Sequence, residues 1–216
     1  IVNQEKTKFM ILSTSEVRRK PRNLKIGQKT FEGVDNFNYL GNIIDNGNNM
    51  TTCIQERILA GNKAYFANLQ IFKSRSISRN TKLQVYRTLV RPVVTYASET
   101  WTLTAANENA LRRFERRVLR KIYGPVFEGG VWRKRYNEEL EKIIKGQNIV
   151  RFIKSQRIRW LGHVERMDDA TMPKRMLRGK LFYKRRVGRP KKRWMDDVTE
   201  DLKPMKAKGR MEMASD

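Results

Sequence analysis

The chain has 216 residues, with 47 Lys+Arg against 22 Asp+Glu, a formal net charge of +25 and a pI of about 10.6. An apolar share of 39% permits a packed core and excludes disorder throughout; the length suits one ordinary domain or two small ones, at roughly 100 to 200 residues each. Cys53 is the single cysteine and His163 the single histidine, which excludes an intrachain disulfide and leaves too few ligands for a structural zinc, and no apolar run approaches the ~18 residues of a membrane helix. This composition suits a reducing, intracellular compartment, nuclear or cytoplasmic, with no membrane partner. The chain opens Ile1-Val2-Asn3-Gln4, with no initiator methionine and no secretory signal, and is read as a fragment or processed piece.

The first fifty residues read as β structure. Thr7 to Ser13 is a short apolar run. Leu24-Lys25-Ile26 and Lys29-Thr30-Phe31, joined by Gly27-Gln28, have the form of a hairpin. Phe37 to Ile44 alternates and stops at the turn-forming Asp45-Asn46-Gly47-Asn48. A small antiparallel sheet is expected.

From Thr51 the period becomes helical. Ile54, Ile58, Tyr65 and Leu69 share a face of a first helix that Thr51 or Thr52 can cap. A second helix starts at Ser78, with Leu83, Tyr86, Leu89, Val90 and Val93 inward and Pro92 ending or kinking it. A third runs from about Asn107 to Tyr123, with Leu111, Phe114, Val118 and Ile122 inward and Gly124-Pro125 as its stop. A fourth spans about Asn148 to Met167. Gly129-Gly130 and the polar stretch Lys134 to Glu141 separate the last two, and the region from Lys184 onward shows little periodicity beyond a short turn near Trp194 to Leu202.

The charge is uneven: residues 1–110 carry a net +8 and residues 111–216 a net +17. A surface of that sign attracts polyanions, and nucleic acid is favoured over a membrane because no Lys/Arg-rich amphipathic helix with a broad Trp/Phe/Leu face is present.

Five blocks carry a resemblance. Asn3 to Met10 (NQEKTKFM), Phe37 to Gly41 (FNYLG), Tyr96 to Trp101 (YASETW), Trp160 to Met167 (WLGHVERM) and Gly188-Arg189-Pro190 with Arg193-Trp194 together look like the C-terminal part of a non-LTR (LINE-type) retrotransposon reverse transcriptase. They occur in the family's order and span almost the whole chain. The resemblance implies that the first block is the last palm motif, with Lys6 or Lys8 near the incoming nucleotide. It makes Phe37, Tyr39, Leu40 and Gly41 the primer grip, the hairpin that holds the primer 3′ end. It gives an α+β, mostly α chain: residues 1–50 the end of the palm and the grip, 51–124 a helical thumb-like region, 125–183 a helical C-terminal connection, and 184–216 a basic, partly disordered tail. RNA and DNA, as template and primer, are the implied partners, together with an N-terminal fingers and palm half.

Polymerase chemistry needs two metal ions held by close carboxylates. In this family they come from motifs that would precede residue 1, so Mg²⁺ belongs to the parent enzyme, no cofactor is expected in this fragment and no independent polymerisation is expected. Asp168-Asp169 and Asp196-Asp197 are acidic pairs without a preceding apolar strand, and read as solvated or helix-capping carboxylates rather than metal ligands.

Three basic constellations remain. Arg113, Arg116, Arg117 and Arg120 recur at spacings of three and four opposite the apolar face of the third helix. Such a stripe can track a phosphate backbone or simply face water; polyanion binding is favoured because Glu115 alone is at hand to balance it and i, i+4 cations repel. Arg157 and Arg159 on the fourth helix are further nucleic-acid candidates, beside Trp160, read as core, and His163, read as a satisfied polar residue. The densest run comprises Lys184, Arg185, Arg186, Arg189, Lys191, Lys192 and Arg193 around Gly188-Arg189-Pro190. It reads as generic nucleic-acid contact, with a minor-groove hook or a nuclear-import signal as alternatives. The rival to the polymerase fragment is a nonenzymatic chromatin or RNA-binding module derived from a decayed transposon.

Overall fold

The computed structural model describes residues 3, 5–11, 22–47, 49–179 and 192–205. The fold is α+β and mostly α, and it divides into two compact units, Ile1–Leu59 and Ala60–Asp216. Among the described residues no helix is long and apolar enough to cross a membrane.

In the first unit, β2 (Leu24–Ile26) and β3 (Lys29–Gly33) form the expected antiparallel hairpin with Ile26 opposite Lys29, and β1 (Lys8–Phe9) joins the far side of β3 in parallel. Phe37 to Ile44, which alternation reads as one strand, folds back on itself. β4 (Asn36–Tyr39) pairs antiparallel with β5 (Asn42–Asp45), Tyr39 opposite Asn42. The turn needs two consecutive residues at positive φ, which Leu40 at 48° and Gly41 at 77° supply. An apolar leucine in a turn position disguises the signal. Helix α1 (Met50–Ala67) follows, capped by Asn49, whose side chain accepts the Thr51 N–H at 3.1 Å, rather than by Thr51 or Thr52.

The division between the units falls within α1. The second unit contains α2 (Leu69–Lys73), α3 (Arg79–Val85), α4 (Arg91–Val94), α5 (Ala105–Tyr123), α6 (Asn137–Ile143), α7 (Ile149–Glu165), α8 (Met172–Arg178) and α9 (Trp194–Leu202), with one hairpin, β6 (Val126–Glu128) and β7 (Val131–Arg133). Short polar side chains cap three of these helices, at the expected Ser78 and Asn148 and at Thr104, ahead of the Asn107 start expected for the third helix. Ser78 accepts from Thr81 N–H, Thr104 from Asn107 N–H and Asn148 from Arg151 N–H. Helix α5 is central, packing against α2, α3, α6 and α7, while α7 also meets α8, α9 and the short turn Ser98–Thr100. Leu111, Phe114, Val118, Leu119 and Ile122 of α5 are buried, with Ile149, Val150, Ile153, Leu161 and Val164 of α7.

A wide π turn, Tyr86–Val90, joins α3 to α4, and the Arg91 N–H reaches back to Tyr86 O. Pro92 has no N–H and its ring would crowd the carbonyl four residues earlier; widening the turn relieves both problems without ending the helix. The extra residue swings Leu89 outward to 50% exposure, against its expected inward place, while Tyr86 and Val90 are buried.

Gly61 shows how closely the helices meet. A Cβ there would overlap Val94 Cγ2 and lie 3.2 Å from Phe114 Cζ. Gly61→Ala is therefore expected to lower stability by about 1–3 kcal/mol through overpacking, although alanine favours a helix interior by roughly 1 kcal/mol over glycine. Urea denaturation checks this; unchanged or raised stability contradicts the close approach.

Three stretches differ from the expectation. Gly129-Gly130 is the tip of the β6–β7 hairpin rather than a plain linker, with both glycines at positive φ, 58° and 84°. Within Lys134 to Glu141 the helix α6 begins, because the Glu139 carboxylate reaches back to the Tyr136 N–H at 2.7 Å and caps it. The short turn anticipated near Trp194 is the nine-residue helix α9. Residues 180–191 and 206–216 lie outside the described residues.

Candidate nucleic-acid interface

Two faces of α5 divide the work. Its inner face carries Glu115, a carboxylate inside the protein. The Tyr86 hydroxyl donates to Oε1 and the Ile149 N–H to Oε2, each at 2.8 Å. One side chain thus ties the π turn, α5 and the start of α7, where a negative charge complements the helix dipole. Burial raises the Glu115 pKa, opposed by these two donors, and the Tyr86 hydroxyl is pushed well above its usual range by burial and by the adjacent carboxylate. Glu115 is therefore a buried anchor, not the surface counter-charge that its place in the sequence suggests.

The outer face carries the arginine stripe. Arg113 and Arg117 are exposed and Arg116 and Arg120 half-buried. Arg117 donates to Asn62 Oδ1 and lies 6.0 Å from the Phe114 ring centroid. Arg120 donates to Arg135 O at 3.1 Å and Asn137 Oδ1 at 2.8 Å. These acceptors are neutral. Among the described residues no carboxylate lies within ion-pair distance of Arg113, Arg116, Arg117 or Arg120, whereas Arg112, one step round the helix, is matched by Glu108 at 2.7 Å. Arg117 and Arg120 also line a groove of about 410 Å³ with Lys134, Arg135, Tyr136 and Asn137.

A second cationic groove, of about 400 Å³, is lined by Arg87, Arg91, Lys145, Arg151 and Phe152. The Arg91 guanidinium sits 4.2 Å from the Phe152 ring centroid, and Arg87 donates to Gln147 Oε1 at 3.0 Å. Nothing in the sequence reading singles out these cations. The i, i+4 pair Arg87 and Arg91 is a local signal, but Lys145 joins it from the turn before α7 and Arg151 from α7 itself.

The other site candidates are placed differently. Arg157 is 1% exposed. Its guanidinium meets Asp197 Oδ2 at 2.7 Å and Asp201 Oδ2 at 2.8 Å and donates to Trp101 O at 2.9 Å, so it anchors α9 and presents no charge to a ligand. Lys192 likewise pairs with Asp197 at 3.3 Å and Glu200 at 2.7 Å. Lys8 pairs with Glu32 across β1 and β3. Arg159 on α7, Arg193 before α9 and Lys6 are exposed. Lys184, Arg185, Arg186, Arg189 and Lys191 lie outside the described residues. Trp160, expected in the core, is half-buried, its ring 5.3 Å from that of His163.

In the first unit, Phe37 is half-buried and Tyr39, Leu40 and Gly41 form an exposed hairpin tip. The tip is braced by Arg57, which donates to Gly41 O and to Asn42 Oδ1, the latter at 3.1 Å.

The acidic pairs have protein partners. Asp168 accepts the Ala170 N–H at 2.8 Å, Asp169 pairs with Lys174 and Arg178, Asp196 accepts the Arg193 N–H at 2.9 Å at the start of α9, and Asp197 accepts the Leu103 N–H at 2.7 Å beside Arg157. Among the described residues no group of three or more His, Cys, Asp or Glu side chains is placed to hold a metal ion.

The chain is similar to an uncharacterized transposon-derived protein of Caenorhabditis elegans, with 25% identity over 181 residues, covering 83% of this chain and 64% of that protein. No protein-family model and no solved structure matches.

Proposed function

We propose that this chain derives from a transposon and binds nucleic acid through the sugar-phosphate backbone, as a noncatalytic C-terminal part of an RNA-directed DNA polymerase of the non-LTR retrotransposon type. One observation carries the binding reading: the α5 stripe holds four arginines with no ion-paired carboxylate among the described residues, in a protein that pairs Arg112, Arg133 and Arg157. Unmatched cations at helical spacing repel one another, and a polyanion removes that repulsion. The ordered sequence blocks and the likeness to a transposon-derived nematode protein support the retrotransposon origin. Template and primer are then the RNA and DNA partners, the exposed Tyr39–Gly41 tip is the primer grip, and the second unit acts as thumb and connection. Arg113, Arg116, Arg117 and Arg120 contact phosphates, with Arg159 and Arg193 adding to the positive field.

The test is a salt titration of the full chain on labelled RNA and DNA. Neutralising about six to ten phosphates predicts an affinity drop of about 10³- to 10⁵-fold between about 50 and 200 mM salt. A flat response overturns the reading.

A further inference from the structure

The β6–β7 hairpin exposes what folding ordinarily hides. Phe127 and Trp132 face each other across its strands, ring centroids 5.1 Å apart, yet are 58% and 67% exposed. Cross-strand partners share a sheet face, so the two rings form one aromatic surface. A rigid support lies behind them. Arg133 forks onto Glu139, at 3.0 and 2.8 Å, and also bonds Glu128, joining the hairpin to α6. The Arg133 hydrogen bonds hold the Glu139 pKa down to about 2, with help from the Tyr136 N–H. Glu128 of the hairpin and Glu139 of α6 are thereby matched by one arginine.

The neighbouring charge is positive. Immediately after β7 the chain supplies Lys134 and Arg135 to the groove that Arg117 and Arg120 line from α5, and among the described residues none of the four is ion-paired. A duplex needs the cations but not the rings, because its bases are already stacked. An unpaired strand needs both: a track for phosphates and flat faces for bases.

We infer that the Phe127–Trp132 surface and the groove of Arg117, Arg120, Lys134 and Arg135 together bind single-stranded nucleic acid, the rings stacking unpaired bases while the cations follow the backbone. This rests on the phosphate-binding reading above and deepens it by naming the strand form.

The experiment compares wild type, Trp132→Ala, Phe127→Ala and Trp132→Tyr, each as the full chain. Fluorescence anisotropy follows a labelled oligothymidylate, the matching oligouridylate and a blunt duplex of equal length; circular dichroism confirms the fold. Each alanine variant is expected to weaken binding of at least one of the single strands by about tenfold and duplex binding by less than twofold, with Trp132→Tyr close to wild type. The oligonucleotide affected reveals whether DNA, RNA or both are taken. Equal losses on single strand and duplex, or none on either, overturn the stacking inference while leaving phosphate binding in place. Failure of wild type to bind any of the probes removes both. A change in sedimentation of the free protein on Trp132→Ala would instead mark the rings as a contact between two copies, and also overturns the inference.

Discussion

Arg157→Ala is expected to destabilise the protein by about 3–5 kcal/mol, the usual consequence of breaking a buried ion pair from one side. The loss follows from what stays behind. Asp197 and Asp201 have side chains only 5% and 3% exposed, and removal of the guanidinium leaves their charges short of a partner, with the Trp101 carbonyl losing a donor. Lys192 and Lys154 still reach the two carboxylates, at 3.3 and 3.1 Å, which keeps the expectation within that range. Helix α9 is also tied by the Trp194 Nε1–H bond to Glu99 O and the Asp197 bond to the Leu103 N–H. Urea denaturation followed by tryptophan fluorescence measures the change. Combining Arg157→Leu with Asp197→Asn and Asp201→Asn should recover part of it, because neutral amides do not require a counter-charge. A loss below about 1 kcal/mol, the scale of an exposed pair, would contradict the buried clasp.

The second large effect concerns binding. Converting Arg113, Arg116 and Arg117 together to alanine is expected to reduce nucleic-acid affinity by about 10²- to 10³-fold near 0.1 M salt and to flatten the logarithmic salt slope on duplex by about 3. Stability should hold or rise slightly, since alanine is a strong helix former and the i, i+4 repulsion between Arg113 and Arg117 disappears. The pairing of changed slope with unchanged folding separates a phosphate contact from a structural arginine. An unaltered slope would place the interface elsewhere, the second groove of Arg87, Arg91, Lys145 and Arg151 being the next surface to vary.

Local signals in the sequence carried much of the fold. Ser78 and Asn148 mark helix starts because a short polar side chain can accept an orphan N–H wherever it lies, whereas α5 starts ahead of the expected Asn107, with Thr104 as its cap. The apolar face of α5 is legible for the same reason: spacing alone puts Leu111, Phe114, Val118 and Ile122 together. What escaped depends on residues far apart. Arg157 looks like any surface arginine until α9 returns with Asp197 and Asp201, forty residues on, and buries it. Glu115 looks like a counter-charge to its basic neighbours until the Tyr86 hydroxyl and Ile149 N–H enclose it. Phe127 and Trp132 were hidden differently, since three-residue strands are too short for alternation to register. The candidate interface was thus half visible: the α5 stripe from spacing, its companions Lys134 and Arg135 only from folding.

The surplus residue in the Tyr86–Val90 turn fixes the phase between α3 and α4. Were Leu89 deleted, everything upstream would turn by about 100° around the helix axis. Tyr86 would leave Glu115 and Arg87 would leave Gln147, so the anchor under α5 and one wall of the second groove would be lost in a single step. A length change at the outward, solvent-facing Leu89 is therefore forbidden by the angular phase of the helix that contains it.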